Sequence, residues 1–290
     1  MVTRPDSIPG SIFVRCVSVT SASRGPLNNK SNSNVSRSAK TARDVGARKT
    51  RRVAAELEEF LNVPVKPRRL ESPLDCLIAT LLSQNTNDRN SHRAWVTLRK
   101  RYPTWERVAS APTNSLAKAI EVGGLKNQKA RRIKQILRGI KKQVGKYDLD
   151  KLKRKSDGEV LEYLTSMEGV GVKTAACVLV FSLGRDVFPV DTHIHRLCNR
   201  LGLVRTKNAE ETFDAMQPLV PEGKAYSFHI NLIRFGRSVC KAQNPLCGKC
   251  PLFDLCSFPV KEHFAQKTAR TPTPERAGTD FMILHNLSVS

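Results

Sequence analysis

Two sets of residues in this sequence have the types and spacing to do chemistry. The first lies between Met167 and Arg196, where Met-Glu-Gly-Val-Gly-Val-Lys-Thr-Ala-Ala runs into an apolar stretch and then Pro-Val-Asp-Thr-His-Ile-His-Arg. Gly169 and Gly171 separate a helix predicted over about 157–166 from a second that begins near Val172. Glycine lets the chain turn with positive φ and lets another surface approach the backbone. The unpaired N–H groups that open the second helix sit at the positive end of its dipole. Such a hairpin is a ready phosphate site. Lys173 falls in the first turn of the second helix and Asp191 at the mouth of the next. An amine can attack an electrophilic carbon, and a carboxylate can take a proton or stabilise a cation. Together they are the parts of an enzyme that acts on nucleic acid. Singly they are ordinary: Gly-x-Gly marks turns, a lone lysine is a solvated charge, and aspartate is a favoured N-cap.

The second set is Cys240, Cys247, Cys250 and Cys256, spaced C-x6-C-x2-C-x5-C in a loop rich in Lys, Asn, Pro and Gly. Four thiolates this close make one tetrahedral or cubic metal site. Structural zinc is the alternative, but zinc sites usually show two separated close pairs and this loop has one. Cys76, Cys177 and Cys198 fall on apolar helical faces and read as core residues.

These residues must be held by helices. Leu74, Leu77, Ile78, Leu81 and Leu82 follow the i, i+3, i+4, i+7, i+8 rule; Ala130, Ile133, Leu137, Ile140 and Val144 do so after Gly123-Gly124; Ala225, Phe228, Leu232 and Phe235 make a third face. Short helices are expected after Thr104, Ser115, Asp157 and Asn208, with Asn208 and Glu211 forming a capping box. No alternating strand pattern competes, so the fold class is all-α. The 290 residues carry a formal net charge of +23, which implies a polyanionic partner, most simply nucleic acid. No run reaches the roughly 20 apolar residues of a membrane span. Eight cysteines without a convincing secretory signal fit a reducing compartment and a metal site. Residues 1–50, rich in Ser, Asn, Arg and Lys, read as a disordered basic extension, with a transit peptide or a DNA-tethering tail as alternatives. Residues 261–290 read as a flexible tail, in which Phe281-Met282-Ile283-Leu284 could dock.

The hairpin, Lys173 and Val-Asp-Thr-His-Ile-His-Arg resemble the helix-hairpin-helix and Gly/Pro…Asp signature of endonuclease III-type DNA glycosylases, and all four cysteines match that family's [4Fe–4S] loop. The resemblance implies a two-lobed helical fold. A six-helix lobe would cover 73–187, with the helix-hairpin-helix at about 157–183. An iron–sulfur lobe would combine 51–72 with 188–260. It places the family's nucleophilic lysine at Lys173 and its essential aspartate at Asp191, on opposite sides of a cleft. Ser83 to Asp88 and Gly124-Leu125 are similar to the family's two DNA wedges, with Gln84 or Asn85 filling the gap left by a flipped nucleotide and Leu125 entering the stack. Gly169, Gly171, Thr174 and Lys241 are expected to meet DNA, and the helix from Lys126 to Lys142 to be half solvated face, half phosphate contact. One departure is visible: where the family has Leu-Pro-Gly, this chain has Met167-Glu168-Gly169. The acid there stands either near the phosphates or toward solvent.

The implied activity is base excision from double-stranded DNA carrying a damaged base, oxidised pyrimidines above all, or an abasic site, followed by strand cleavage through a lysine Schiff base. The amine of Lys173 is expected to be kept neutral by the helix dipole and burial. The lysine, and too little chain after Cys256 for an extra domain, set the sequence apart from the adenine-glycosylase branch. A monofunctional enzyme of the same superfamily and a non-catalytic iron–sulfur DNA-binding protein are the alternatives. A cytoplasmic, nucleoid-associated monomer without membrane contact is expected.

Overall fold

Local sequence rules account for where the helices begin. In the computed structural model, which describes residues 30–61 and 72–268 with side chains from residue 43, all regular structure is helical. Helix α1 spans Lys30–Leu61. Helix α2 (Pro73–Ser83) is capped by Ser72, whose hydroxyl accepts from the Asp75 N–H at 3.1 Å, and has proline in its first turn where no N–H is needed. Asn87 caps α3 (Asp88–Arg101) and Thr104 caps α4 (Trp105–Ser110). Helix α5 (Thr113–Ala119) follows Pro112 without a side-chain cap, so the expected cap Ser115 lies inside the helix instead. Helix α6 (Lys126–Val144) stops at Gly145, which takes φ +82°.

The capping box is at α7 (Asp157–Thr165), with Ser156 rather than Asp157 as the cap. The Ser156 hydroxyl accepts from the Glu159 N–H at 3.3 Å, and the Glu159 carboxylate accepts from the Ser156 N–H at 2.8 Å. Helix α8 (Val172–Cys177) runs on through one widened turn, Val178–Ser182. Asp191 caps α9 (Thr192–Arg200). Asn208 caps α10 (Ala209–Met216), but Glu211 accepts from the Lys207 N–H and the Asn208 amide, so the box expected there is half made. Helix α11 (Ala225–Ser238) borrows its cap from a distance: the Asp186 carboxylate accepts from Gly223 N–H at 2.6 Å and Ala225 N–H at 3.0 Å.

The apolar stripes pair in two sets of helices. Helix α2 packs on α3, α6 and α8, while α4 and α5 lie on α6 and α7 on α8. The predicted faces of α2 and α6 are buried there, apart from half-buried Val144. In the second set α9 packs on α10 and α11, and the Ala225, Phe228, Leu232, Phe235 face of α11 is buried. Phe60 of α1 meets Phe235 edge-on at 6.5 Å, and Glu58 pairs with Lys224 at 2.8 Å. Phe181, in the widened turn, joins the two sets through Tyr226 and His229 at 5.4 and 5.5 Å. Among the described residues no helix is long and apolar enough to cross a membrane.

Two boundaries differ from the sequence reading. Residues 30–50, expected to belong to a disordered extension, are helical. Thr50 is fully buried, with its hydroxyl on the Gly46 carbonyl at 2.9 Å, and Gly46 lies against Leu219. So narrow a contact stripe leaves no apolar periodicity in a basic, polar segment. Residues 261–268, expected to begin a flexible tail, form α12 (Lys261–Thr268), which packs on the turn Cys247–Lys249. Gly248 is needed there, because a Cβ would lie 2.8 Å from the Ala265 carbonyl oxygen. The readings placed on residues 1–29 and on Phe281–Leu284 lie outside the described residues.

Candidate active site and iron–sulfur loop

The hairpin between α7 and α8 is shaped by its glycines in different ways. Gly169 takes φ +81°, and a Cβ there would lie 2.7 Å from the Arg132 side chain. Gly171 has φ −90° and its missing Cβ would meet nothing in the protein. Its open face is therefore left clear for something outside the chain. Glu168 is exposed and accepts from the Gln135 amide at 3.2 Å, so the departure from Leu-Pro-Gly points away from the core. Thr174, expected to meet DNA, is buried, with its hydroxyl 3.4 Å from the Gln84 amide; it braces the hairpin instead.

Lys173 stands in the first turn of α8. Asp191 stands at the end of an extended segment fixed by side chains. Gln217 both accepts from the Phe188 N–H and donates to its carbonyl, each at 2.9 Å, and His229 Nδ1 donates to the Pro189 carbonyl at 2.9 Å. Asp191 itself accepts from the Ile194 N–H at 2.9 Å, so it is an N-cap as well as a site residue.

The charges differ from expectation at one point. Burial pushes the pKa of Lys173 down, but Cys177 and Asp191 outweigh it and hold the amine above its ordinary value. That direction favours the ammonium form of Lys173, which would have to lose a proton before it could attack a carbon. Burial also opposes the charge on Asp191, yet His229, the Ile194 N–H and Lys173 keep its pKa below the usual carboxylate value. His229, which sequence reasoning missed, is fully enclosed and pushed down by burial to about 4. It is neutral at neutral pH, with its second nitrogen an acceptor. Only the α11 apolar face hinted at it, and that periodicity made it look like core.

The loop before α3 and the loop before α6 stand beside the hairpin. The Gln84 amide lies 3.5 Å from the Gly169 carbonyl and 3.4 Å from the Thr174 hydroxyl, so it is tied to the hairpin. Asn85 is exposed with φ +52°, and Leu125 is 49% exposed with φ +47°. Lys129, assigned by sequence to a solvated or phosphate-binding face, is buried instead.

Cys240, Cys247, Cys250 and Cys256 line one cavity with Arg200 and Lys261. Among the described residues no three His, Cys, Asp or Glu side chains come close enough together to hold a single metal ion. Burial and mutual repulsion push Cys250 up to about 12 and raise Cys247 and Cys256, so thiolates need positive charge in that cavity. Cations already surround it. Arg200 donates to the Cys240 sulfur at 3.6 Å and to the Lys241 carbonyl at 2.7 Å, and Lys261 donates to the Cys256 carbonyl at 3.0 Å. The Lys241 side chain is exposed. The donor set fits a [4Fe–4S] cluster held by the four cysteines, which supplies covalent order to a loop without a core of its own.

Comparison with known proteins gives the family. The family described as HhH-GPD superfamily base excision DNA repair protein matches residues 78–222, and the iron–sulfur binding domain of endonuclease III matches residues 240–256. Endonuclease III of Thermotoga maritima is 39% identical over 186 residues, covering 64% of this chain and 83% of that protein. Endonuclease III of Haemophilus influenzae is 32% identical over 221 residues, covering 74% of this chain and 99% of that protein. A non-covalent endonuclease III–DNA complex superposes with a TM-score of 0.63 at 27% identity, over 78% of this chain and 99% of that one. The chain belongs to the HhH-GPD superfamily of base excision DNA repair proteins, as a DNA glycosylase and abasic-site lyase of the endonuclease III type with a [4Fe–4S] cluster.

Proposed function

We propose that this enzyme removes damaged bases, oxidised pyrimidines first, from duplex DNA and then nicks the strand by β-elimination through a Schiff base on Lys173. The observation that carries the reading is that Lys173, in the first turn of α8 after the glycine hairpin, feels the charge of Asp191, the N-cap of α9. A damaged nucleotide is extruded toward these two side chains at a cost that weak pairing lowers. Asp191 takes the Lys173 proton, and the amine attacks C1′ while the electrons of the glycosidic bond leave with the base. Ring opening gives the imine. Loss of a C2′ proton then breaks the C3′–O bond, nicking the strand on the 3′ side. Asn85 fills the gap in the duplex, since Gln84 is tethered to the hairpin, and Leu125 enters the stack from the other loop. A trapped covalent endonuclease III–DNA intermediate, similar in fold at TM-score 0.62 and 27% identity, supports the covalent route. The test is borohydride trapping on abasic DNA. Wild-type protein should become cross-linked and Lys173→Gln should not, while still binding; undiminished trapping in the variant would sink the assignment.

A further inference from the structure

Lys129 is 2% exposed, which is rare for lysine. Its ammonium donates to two main-chain carbonyls, Leu82 at 2.8 Å and Gly123 at 2.7 Å. Leu82 lies in the last turn of α2, and Gly123 closes the single turn Glu121–Gly123. Carbonyls at such ends lack a helical donor and sit at the negative end of the dipole, so one cation satisfies both. From Leu82 the chain leads into Asn85, and from Gly123 into Leu125. These two, with Asn244, are the non-glycine residues with positive φ among the described residues. A leucine persists in that conformation only where its surroundings over-determine it. The two loops also touch: a Cβ on Gly124 would lie 3.9 Å from the Asn85 carbonyl oxygen. The Lys129 N–H bonds the Leu125 carbonyl at 2.9 Å, so one residue grips the second loop from both sides of its tip.

We propose that Lys129 is a positioning residue that locks the Asn85 and Leu125 loops into one two-pronged wedge, so that gap filling and stacking happen together when a nucleotide is extruded. The proposal rests on the reading of Asn85 and Leu125 as wedges. An apolar residue of similar length would fill the space but leave both carbonyls without a donor, and each loop would then relax separately.

The experiment compares single-turnover base release on a lesion paired in duplex with release of the same lesion in an unpaired bubble, which needs no wedge. Lys129→Met should lose about tenfold or more on the duplex, the effect of one charge-assisted hydrogen bond, and stay within about threefold of wild type on the bubble. With 2-aminopurine opposite the lesion, the fluorescence change on binding should be smaller and slower for the variant. Equal losses on both substrates, or no loss on either, overturn the proposal. If Lys129→Met does not fold, Lys129→Leu, which likewise has no side-chain donor, is measured in the same way and decided by the same outcomes. The double variant Asn85→Ala/Leu125→Ala separates the underlying reading. Undiminished duplex activity there means the wedges are misassigned. An impaired double variant beside an unimpaired Lys129→Met means only the lock is wrong. If both are right, adding Lys129→Met to the double variant lowers duplex activity no further.

Discussion

Asp191 caps α9, and the proposed function gives the same side chain a second job, as the negative charge beside Lys173. Asparagine caps about as well as aspartate, so Asp191→Asn separates them. The variant should fold, bind DNA and hold its cluster, yet lose base release by about 10²–10³-fold, the usual scale for one group that stabilises developing charge. Wild-type turnover would show that Asp191 is structural only. His229 makes a second residue-scale prediction. Its folded pKa is depressed from 6.5 to about 4. The unfolded chain therefore binds the extra proton first, and the stability due to the neutral imidazole is full above pH 6.5 and lost as pH falls toward 4. Melting temperatures measured between those limits should fall less for His229→Asn than for wild type. An equal fall would show that the acid sensitivity arises elsewhere.

Among the elements, the hairpin shows how the protein and its ligand divide the demands on glycine. Gly169 is required by the fold, through φ +81° and the Arg132 chain against it; Gly169→Ala should lower the melting temperature and DNA affinity together. Gly171 has an ordinary φ and open space. Gly171→Ala should melt like wild type and bind duplex DNA more weakly, because only an incoming phosphate backbone would meet the new methyl group. Unchanged affinity would mean that DNA does not approach there. The capping box anchors the same hairpin from its other end. Lys155 and Ser156 pull Glu159 down to about 2 from its ordinary 4.5, so the box is intact above pH 4.5 and opens as pH falls toward 2. Ser156→Ala, which removes the reciprocal partner, should cost about 1 kcal/mol at neutral pH by chemical denaturation.

On the scale of the molecule, charge and cluster act together. A net charge of +23 gives non-specific DNA affinity that falls with salt. Lys241→Ala should reduce the log–log salt slope by about one unit if its exposed side chain meets a phosphate; an unchanged slope would remove it from the interface. The purified protein should be yellow-brown, with absorbance near ~400 nm from iron on thiolates. Cys250→Ser should lose iron, loosen residues 240–256 and α12, and weaken DNA binding. Lys173 and Asp191 stay in place, because buried faces of α8, α9 and α11 hold them. One zinc and no iron, in protein purified without air, would refute the cluster.

Spacing was enough to show the family and to nominate the residues proposed for its chemistry. The glycine hairpin, Lys173, Asp191 and the four cysteines are each nominated by short-range sequence, and three amphipathic stripes specified α2, α6 and α11, of which α2 packs on α8 and α11 on α9. Local patterns report what a residue's own turn requires, so caps such as Thr104 and Asn208 were legible while Ser156 displaced Asp157 by one position. Long-range contacts decided the rest. The upward shift of Lys173 comes from Cys177 on its own helix and then from Asp191, which a different element supplies. Lys129 looks like any lysine on a basic helix until α2 and the turn at Gly123 close over it. The helical structure of residues 30–50 and of α12 was invisible for the same reason: their few buried atoms find partners only in the folded chain, and a polar sequence with a narrow contact stripe carries no period to read.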